Sequence, residues 1–457
     1  MMSTKLNPDI WSENSRIVND ALVIAGCDVR DLAREFGTPL FVLDETDLVT
    51  RIRSWRNNLA ENFQSHSGNV YYAAKAFISV EIAKILASEN VGLDVCTGGE
   101  LAVARAANFP AERIEMHGNN KSESEIRAAI DYRVRTIVLD SLHEIERVAR
   151  IAEEFGVVQR VLIRLTPGVE AHTHEAIATA HEDVKFGFSI ASGAALEAAR
   201  KVRAHPSLKF AGVHAHIGSQ IFDTGPFELS TERLIEFLGK LKNELDLLAD
   251  ELVLGGGYGI AYVDGDDPIA PAAMMKALSM VVDKECKRQG FSSPKISIEP
   301  GRAIIGPSMT TIYEVGTTKE VRLENGDNRR YISVDGGMSD NIRPGLYGAR
   351  YMAILANRNP ETRNVKSRVV GKHCETGDIV ISEIELPSDI APGDLLAVPA
   401  TGAYGRSMAS NYNHVPRPPV ISVVNGTART ILRRETESDL LALDVVEKAR
   451  KIEGVGR

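Results

Sequence analysis

Eight short apolar runs separated by amphipathic stretches fill residues 70–301, and no other feature narrows the possible folds so far. The runs cover 70–75, 92–97, 114–118, 136–140, 159–167, 210–218, 251–257 and 295–301. Between them, stretches such as 79–89, 141–155 and 231–250 carry apolar residues at helical spacing, with Ser141 or Asp140 placed to cap the second. Eight strand–helix units in roughly 230 residues fit a TIM-like (β/α)8 barrel. A doubly wound sheet also alternates strand with helix. Polar residues gather at the end of nearly every run, which favours the barrel, where all strand ends meet at one mouth.

The pattern changes after about residue 304. Runs at 310–315, 330–334, 368–373, 378–386, 394–399 and 419–424 read as strands, several separated by turn pairs such as Asn325-Gly326 and Pro392-Gly393. An all-β domain is expected here, closed by a helix over 437–452, with 358–365 as a polar loop. Short apolar runs at 21–24 and 40–43 are expected to join it. The division is therefore a barrel over 45–303 and a β domain made of 1–44 and 304–457.

A chain of 457 residues has room for both. Its net charge of -9 argues against binding nucleic acid or an anionic membrane surface, which call for a basic face. No apolar run reaches the length of a transmembrane helix, and the first residues lack the apolar core of a secretory signal. Four scattered cysteines form neither a disulfide framework nor a CxxC metal site, so a reducing cytoplasm is expected and no metal is.

Lys75 closes the first run, behind Val70, Tyr71, Tyr72, Ala73 and Ala74. An unpaired ammonium in an apolar strand costs several kcal/mol or shifts its pKa. Bonding the amine to an aldehyde removes the problem, and small neighbours leave room for a flat ring, which points to pyridoxal phosphate (PLP). A lysine with a buried stem and a head in water has the same local sequence. Other strand ends supply what PLP needs. His216 can stack on an aromatic ring, the glycines of 255–259 offer backbone N–H groups to a phosphate, and Glu299 can hold a ring-nitrogen proton beside Arg302. Each has a plain alternative: a satisfied core histidine, an ordinary turn, a surface ion pair. The β domain adds Arg343 and Tyr347, suited to a carboxylate, then Cys374-Glu375 at a turn, and Tyr404. Cys374 reads equally as a small buried hydrophobe, and Glu375 as a solvated turn acid.

In chain order the motifs YYAAKAF, HGNNKS (117–122), HTHEAIATAHEDVKFGF (172–188), HIGSQ, GGGYG, EPGR, RPGLYGA, CETGD and GAYG make the chain resemble the diaminopimelate decarboxylase family. These are fold-type III PLP enzymes related to ornithine decarboxylase and alanine racemase. The resemblance runs from about residue 40 to 412. It implies a PLP-dependent carboxy-lyase that converts meso-2,6-diaminopimelate to L-lysine and carbon dioxide, the last step of lysine biosynthesis. Lys75, His216 and Cys374 are the implied catalytic residues, Lys75 bonded to the cofactor, His216 stacked on its ring and Cys374 giving the proton. Ser219, Gly256, Gly257, Gly301 and Arg302 would hold phosphate and ring, with Glu299 at the ring nitrogen and Tyr404 touching cofactor and substrate. Arg302, Arg343 and Tyr347 would take the distal carboxylate and Glu375 the distal ammonium. The resemblance also implies a homodimer whose site is shared, Cys374 arriving from the second subunit.

A substrate charged at both ends explains the cation and anion together. A lysine or ornithine decarboxylase has no distal carboxylate to bind and would leave a buried arginine unpaired. A decarboxylase of another diamino acid, such as arginine or carboxynorspermidine, is one rival reading. An amino-acid racemase, or a PLP binder without turnover, is the other. Departures from the family pattern are Thr376, where serine is also common, and Ala176, where a bulkier residue is frequent. His172, His174 and His181 read as part of an active-site loop over 172–186 rather than as metal ligands.

Overall fold

The computed structural model describes residues 3–169 and 185–445. The loop histidines His172, His174 and His181 lie outside the described residues.

Eight parallel strands make the barrel: Ser67–Ala73, Gly92–Val95, Ile114–Met116, Thr136–Leu139, Gln159–Thr166, Leu208–His214, Glu251–Val253 and Lys295–Ile298. Each pairs with the next, and the eighth closes on the first, with Ile296 opposite Ser67 and Ile298 opposite Val70. That closure excludes the open doubly wound sheet. Every strand stops one to four residues before the end of its apolar run, so the motif residues sit on loops at the mouth rather than in strands. Lys75 lies in a turn in which Ala76 N donates to Ala73 O over 3.1 Å.

Short capped connections hold these loops. Ser79, Thr97, Ser122 and Ser141 each accept a hydrogen bond from the backbone three residues on, opening the helices Val80–Ser88, Gly98–Ala106, Glu123–Tyr132 and Leu142–Glu154. Each cap stabilises by about 1 kcal/mol. Ser141 is the cap; Asp140 instead accepts from Gly187 N. The helix expected over 231–250 is Gly225–Leu245, because Pro226 suits a first turn and Asp246 takes a left-handed conformation that ends it.

The second sheet runs in the order Ile379–Pro387, Asn364–Val370, Asn328–Val334, Met309–Arg322, Leu40–Asp44, Val420–Val424, Thr427–Leu432. Leu40–Asp44 is central, antiparallel to Met309–Arg322 and parallel to Val420–Val424. Its side chains alternate between two cores. Phe41 and Leu43 face the main cluster, while Leu40 and Val42 face a second one with Leu22, Ile24, Ile312 and Ile421. Residues 21–24 therefore do not join this sheet. Ala21–Ile24 belongs to a separate four-stranded antiparallel sheet packed against it.

The strand Thr427–Leu432 was not among the expected ones. It pairs with Val420–Val424 through Asn425-Gly426, whose φ values of 49° and 76° suit a two-residue hairpin. The final helix spans Glu437–Leu441, not 437–452: Thr436 and Asp439 form a capping box, residues 442–445 leave the helix, and the rest lies outside the described residues.

Candidate active site

A cavity at the barrel mouth is lined by Lys75, His216, Ser219, Gly257, Glu299, Gly301, Arg302 and Tyr404, eight residues that the sequence scatters over more than three hundred positions. Tyr404 comes from the β domain and is tied in by its backbone N–H, which donates to Ala76 O over 2.9 Å. The same oxygen accepts from Ser407 Oγ at 2.8 Å, so the turn carrying Lys75 is clamped from the second sheet.

Lys75 itself is open to the cavity. Its ammonium is not the badly placed charge that its apolar neighbours suggest. Burial pulls its pKa down, but Tyr404, Cys96 and Asp94 outweigh that and the net shift is upward.

The glycines do steric work. A Cβ on Gly256 would stand 2.3 Å from Glu299 O, and one on Gly257, at φ +114°, 2.5 Å from Gly218 O. Neighbouring strand ends thus touch backbone to backbone. Gly256 N donates to His216 Nδ1 at 3.2 Å, which leaves the proton of this neutral imidazole on Nε2. Burial, with Lys75 and Arg164 beside it, holds His216 well below the usual histidine range.

Arg302 is buried and donates to Ser219 Oγ at 2.8 Å and Tyr262 Oη at 2.6 Å, with its guanidinium 4.7 Å from the centre of the Tyr404 ring. Arg343 is buried beside it. Its guanidinium lies 4.6 Å from the Tyr262 ring centre and is hydrogen-bonded to Tyr351 Oη. Among the described residues neither arginine has an acidic partner. Burial would raise the Tyr262 phenol, but the two guanidiniums outweigh it and lower its pKa.

Glu299 is buried between two histidines. Oε2 hydrogen-bonds to His214 Nε2 at 3.1 Å, and Oε1 lies 3.2 Å from His117 Nε2 without hydrogen-bond alignment. The donor atoms of the three side chains fall within 4.8 Å of one another. Glu299 Oε1 and Arg302 Nε are thus buried polar atoms with no hydrogen-bond partner, at a cavity rimmed by glycine backbone.

Of the other expected residues, Gly256 sits just behind the lining, and Arg343 is connected to it only through Tyr262, which is bonded to the lining residue Arg302. Tyr347, Cys374 and Glu375 do not line the cavity. Tyr347 is half-buried at the end of the helix Arg343–Tyr347, and Cys374 and Glu375 are exposed on the turn before Ile379–Pro387. Cys374 is thus no buried hydrophobe, whereas Glu375 sits as the solvated turn acid would, on a turn that Asp378 pins by accepting from Met338 N and His373 N. Asp94, Cys96, His117, Arg164 and His214 also line the cavity, although no role is expected of them from the sequence. His214 was within reach, since period-two geometry puts it on the same side as His216. Tyr262 carries no such signal.

The site and barrel define a class. Residues 45–306 match the family model for the pyridoxal-dependent decarboxylases, pyridoxal binding domain. Within that class the chain belongs to the diaminopimelate decarboxylase family. It is 52% identical to the diaminopimelate decarboxylase of Mycobacterium tuberculosis H37Rv over 445 residues, 96% of this chain and 98% of that one. Identity to the Bacillus subtilis 168 enzyme is 44%, over 93% and 95% of the two chains. The crystal structure of the M. jannaschii diaminopimelate decarboxylase in complex with L-lysine superposes with a TM-score of 0.87 at 31% identity, covering 95% of this chain and 98% of that one.

Proposed function

We propose that the chain decarboxylates meso-2,6-diaminopimelate at its D-centre, giving L-lysine and carbon dioxide as the last step of lysine biosynthesis, with PLP as cofactor. The observation that carries this reading is the pair of buried guanidiniums, Arg302 and Arg343, without an acidic partner among the described residues and adjoining a cavity that holds Lys75 and Glu299. Two buried cations without a counter-ion favour a ligand that brings its own carboxylate.

The residues present fit the cofactor. Lys75 offers an amine to its aldehyde, and Ser219, Gly257, Gly301 and Arg302, which line the cavity with Tyr404, would hold its phosphate and ring, with Gly256 behind them fixing His216. Glu299 Oε1 is a buried acceptor without a hydrogen bond, matched to a protonated ring nitrogen, and neutral His216 offers a flat face. When bound, PLP supplies an electron sink for the pair left on the α-carbon as carbon dioxide departs.

The chain's own residues do the rest. Arg302, Arg343 and Tyr347 bind the distal carboxylate, and Glu375 binds the distal ammonium. Recognition of both charges rejects diamines that lack the second carboxylate. Cys374 Sγ carries the proton returned to the α-carbon. Because Cys374 and Glu375 are exposed and away from their own subunit's cavity, they serve a second copy, and the working unit is a homodimer. The barrel over 45–303 and the β domain of 1–44 with 304–457 are its two structural units. Among the described residues no helix is long and apolar enough to cross a membrane, and all four cysteines are free, which supports a reducing cytoplasm.

Carbon dioxide release from a panel of amino acids tests the reading, with Lys75→Ala as control. Release from meso-diaminopimelate and loss of the cofactor's visible absorbance in Lys75→Ala are expected. Release only from substrates with a single carboxylate, such as ornithine, defeats the distal-carboxylate argument. An unchanged spectrum in Lys75→Ala defeats the assignment of Lys75.

A further inference from the structure

Glu299 does not stand alone at the bottom of the cavity. His214, at the end of the sixth barrel strand, meets one carboxylate oxygen, and His117, just past the third, meets the other. The two imidazoles touch edge to face, centroids 4.8 Å apart, so they flank the carboxylate as a pair. His117 is fixed from behind by its backbone N–H, which donates to Val95 O at 2.8 Å. Its side chain is 5% exposed and its Nε2 has no aligned hydrogen-bond partner. Resting on the function proposed above, we propose that His117 is a positioning residue for the reaction: with His214 it clamps the Glu299 carboxylate where the cofactor's ring nitrogen is met.

Charge follows from this geometry. The titratable groups facing His117 among the described residues are Asp94 at 3.7 Å, Glu115 at 3.9 Å, Glu299 at 3.2 Å and His214. Burial would lower His117, but Asp94 and Glu299 outweigh it, with Glu115 adding to them, and push it up to about 10. Burial lowers His214 to about 4, with His117 and Arg164 adding to the effect. His117 is therefore the cation of the pair and His214 the neutral donor. Burial would raise Glu299, but His214 and His117 together hold it well below the usual carboxylate range. A weakly basic carboxylate leaves a shared proton on the ring nitrogen, where it serves the electron sink; a more basic one draws it away. A plainer role for His117, neutralising Asp94 and Glu115 alone, makes no demand on Glu299.

Nuclear magnetic resonance separates the two. In the isotope-labelled full chain without cofactor, His117 is expected doubly protonated at neutral pH. Its titration midpoint should fall by about one pH unit or more in Glu299→Gln, since an opposite charge at this distance shifts a pKa by that order. An unchanged midpoint overturns the proposal. With ring-nitrogen-labelled PLP, His117→Gln should move the nitrogen resonance toward unprotonated pyridine. A His117→Gln protein that binds cofactor with the wild-type resonance overturns it too, as does a divalent ion retained stoichiometrically by His117, His214 and Glu299. If His117→Gln fails to fold, the comparison of wild type with Glu299→Gln still decides. Failure of the wild-type chain to take up PLP is a separate result: it refutes the function proposed above, while the His117 titration reports on the clamp alone.

Discussion

Replacing Arg343 by methionine separates function from stability at one position. The guanidinium is 5% exposed and lies over the rings of Tyr262 and Tyr351, at 4.6 and 5.5 Å. Each ring contact stabilises by about 1 kcal/mol, and the charged hydrogen bond to Tyr351 by about 2 kcal/mol. Together these come to about 4 kcal/mol, against a desolvation penalty of several kcal/mol for a buried ion. The two nearly cancel, and methionine keeps most of the stem's volume. Arg343→Met should therefore change unfolding free energy by no more than about 2 kcal/mol. Binding of the distal carboxylate behaves differently. Losing a charged hydrogen bond of about 1.5–3 kcal/mol lowers kcat/KM for meso-diaminopimelate roughly 10- to 150-fold. L-lysine keeps a carboxylate at the distal end when its side-chain amine enters the site; 1,5-diaminopentane has none. Inhibition by lysine should weaken with kcat/KM while inhibition by the diamine holds. Urea denaturation and competitive inhibition measure both halves. Equal weakening for the two inhibitors, or a stability loss above about 4 kcal/mol, would refute the reasoning and leave Arg343 as a structural residue.

Three further outcomes are expected. Burial, with Glu251 and Glu299 nearby, pushes Glu115 up to about 7, against the opposing pull of His117. The folded state then holds a proton that the unfolded chain has released, so wild-type stability falls as pH rises from about 4.5 to 7, by on the order of 3 kcal/mol. Glu115→Gln should lack that fall; an advantage that is the same at every pH contradicts it. Gly257→Ala, forcing a Cβ to 2.5 Å from Gly218 O at φ +114°, should weaken PLP binding about tenfold or more in an absorbance titration. Unaltered affinity takes this loop out of the phosphate cradle. Mixing Lys75→Ala subunits with Cys374→Ala subunits, each impaired alone, should restore turnover in mixed dimers; no recovery argues that Cys374 serves its own subunit.

The barrel was legible because its signal is local and repeated: eight apolar runs, each punctuated by polar or glycine-rich ends. Strand lengths were overread for a physical reason. Apolar residues continue past the ends of the strands because the mouth loops are themselves buried, as at Ala74, Ala76 and Phe77. Much of the site was legible as motifs, yet its electrostatics were not. Asp94, His117 and His214 act on Lys75 and Glu299 only after closure of the barrel, and no spacing in the chain encodes that meeting. Tyr262 and Tyr351, which hold the two arginines, were invisible for the same reason. The turn at Asn425-Gly426 is legible, but Thr427–Leu432 carries an arginine at its centre and alternates too weakly to stand out as a strand.

The central place of Leu40–Asp44 in the second sheet has a consequence for how the molecule is made. Its partners, Met309–Arg322 and Val420–Val424, lie some 270 and 380 residues further along the chain. A ribosome therefore releases this strand early and must finish nearly the whole chain before both its edges can be paired. The barrel between them is complete long before, with neighbours close in sequence, so it is the natural first folding unit. Until residue 424 emerges, an apolar strand waits with an open edge, the kind of surface that recruits foreign strands. Nascent chains stalled short of that point should depend most on chaperones, and a cut that removes the last strands should cost more solubility than one of equal length elsewhere.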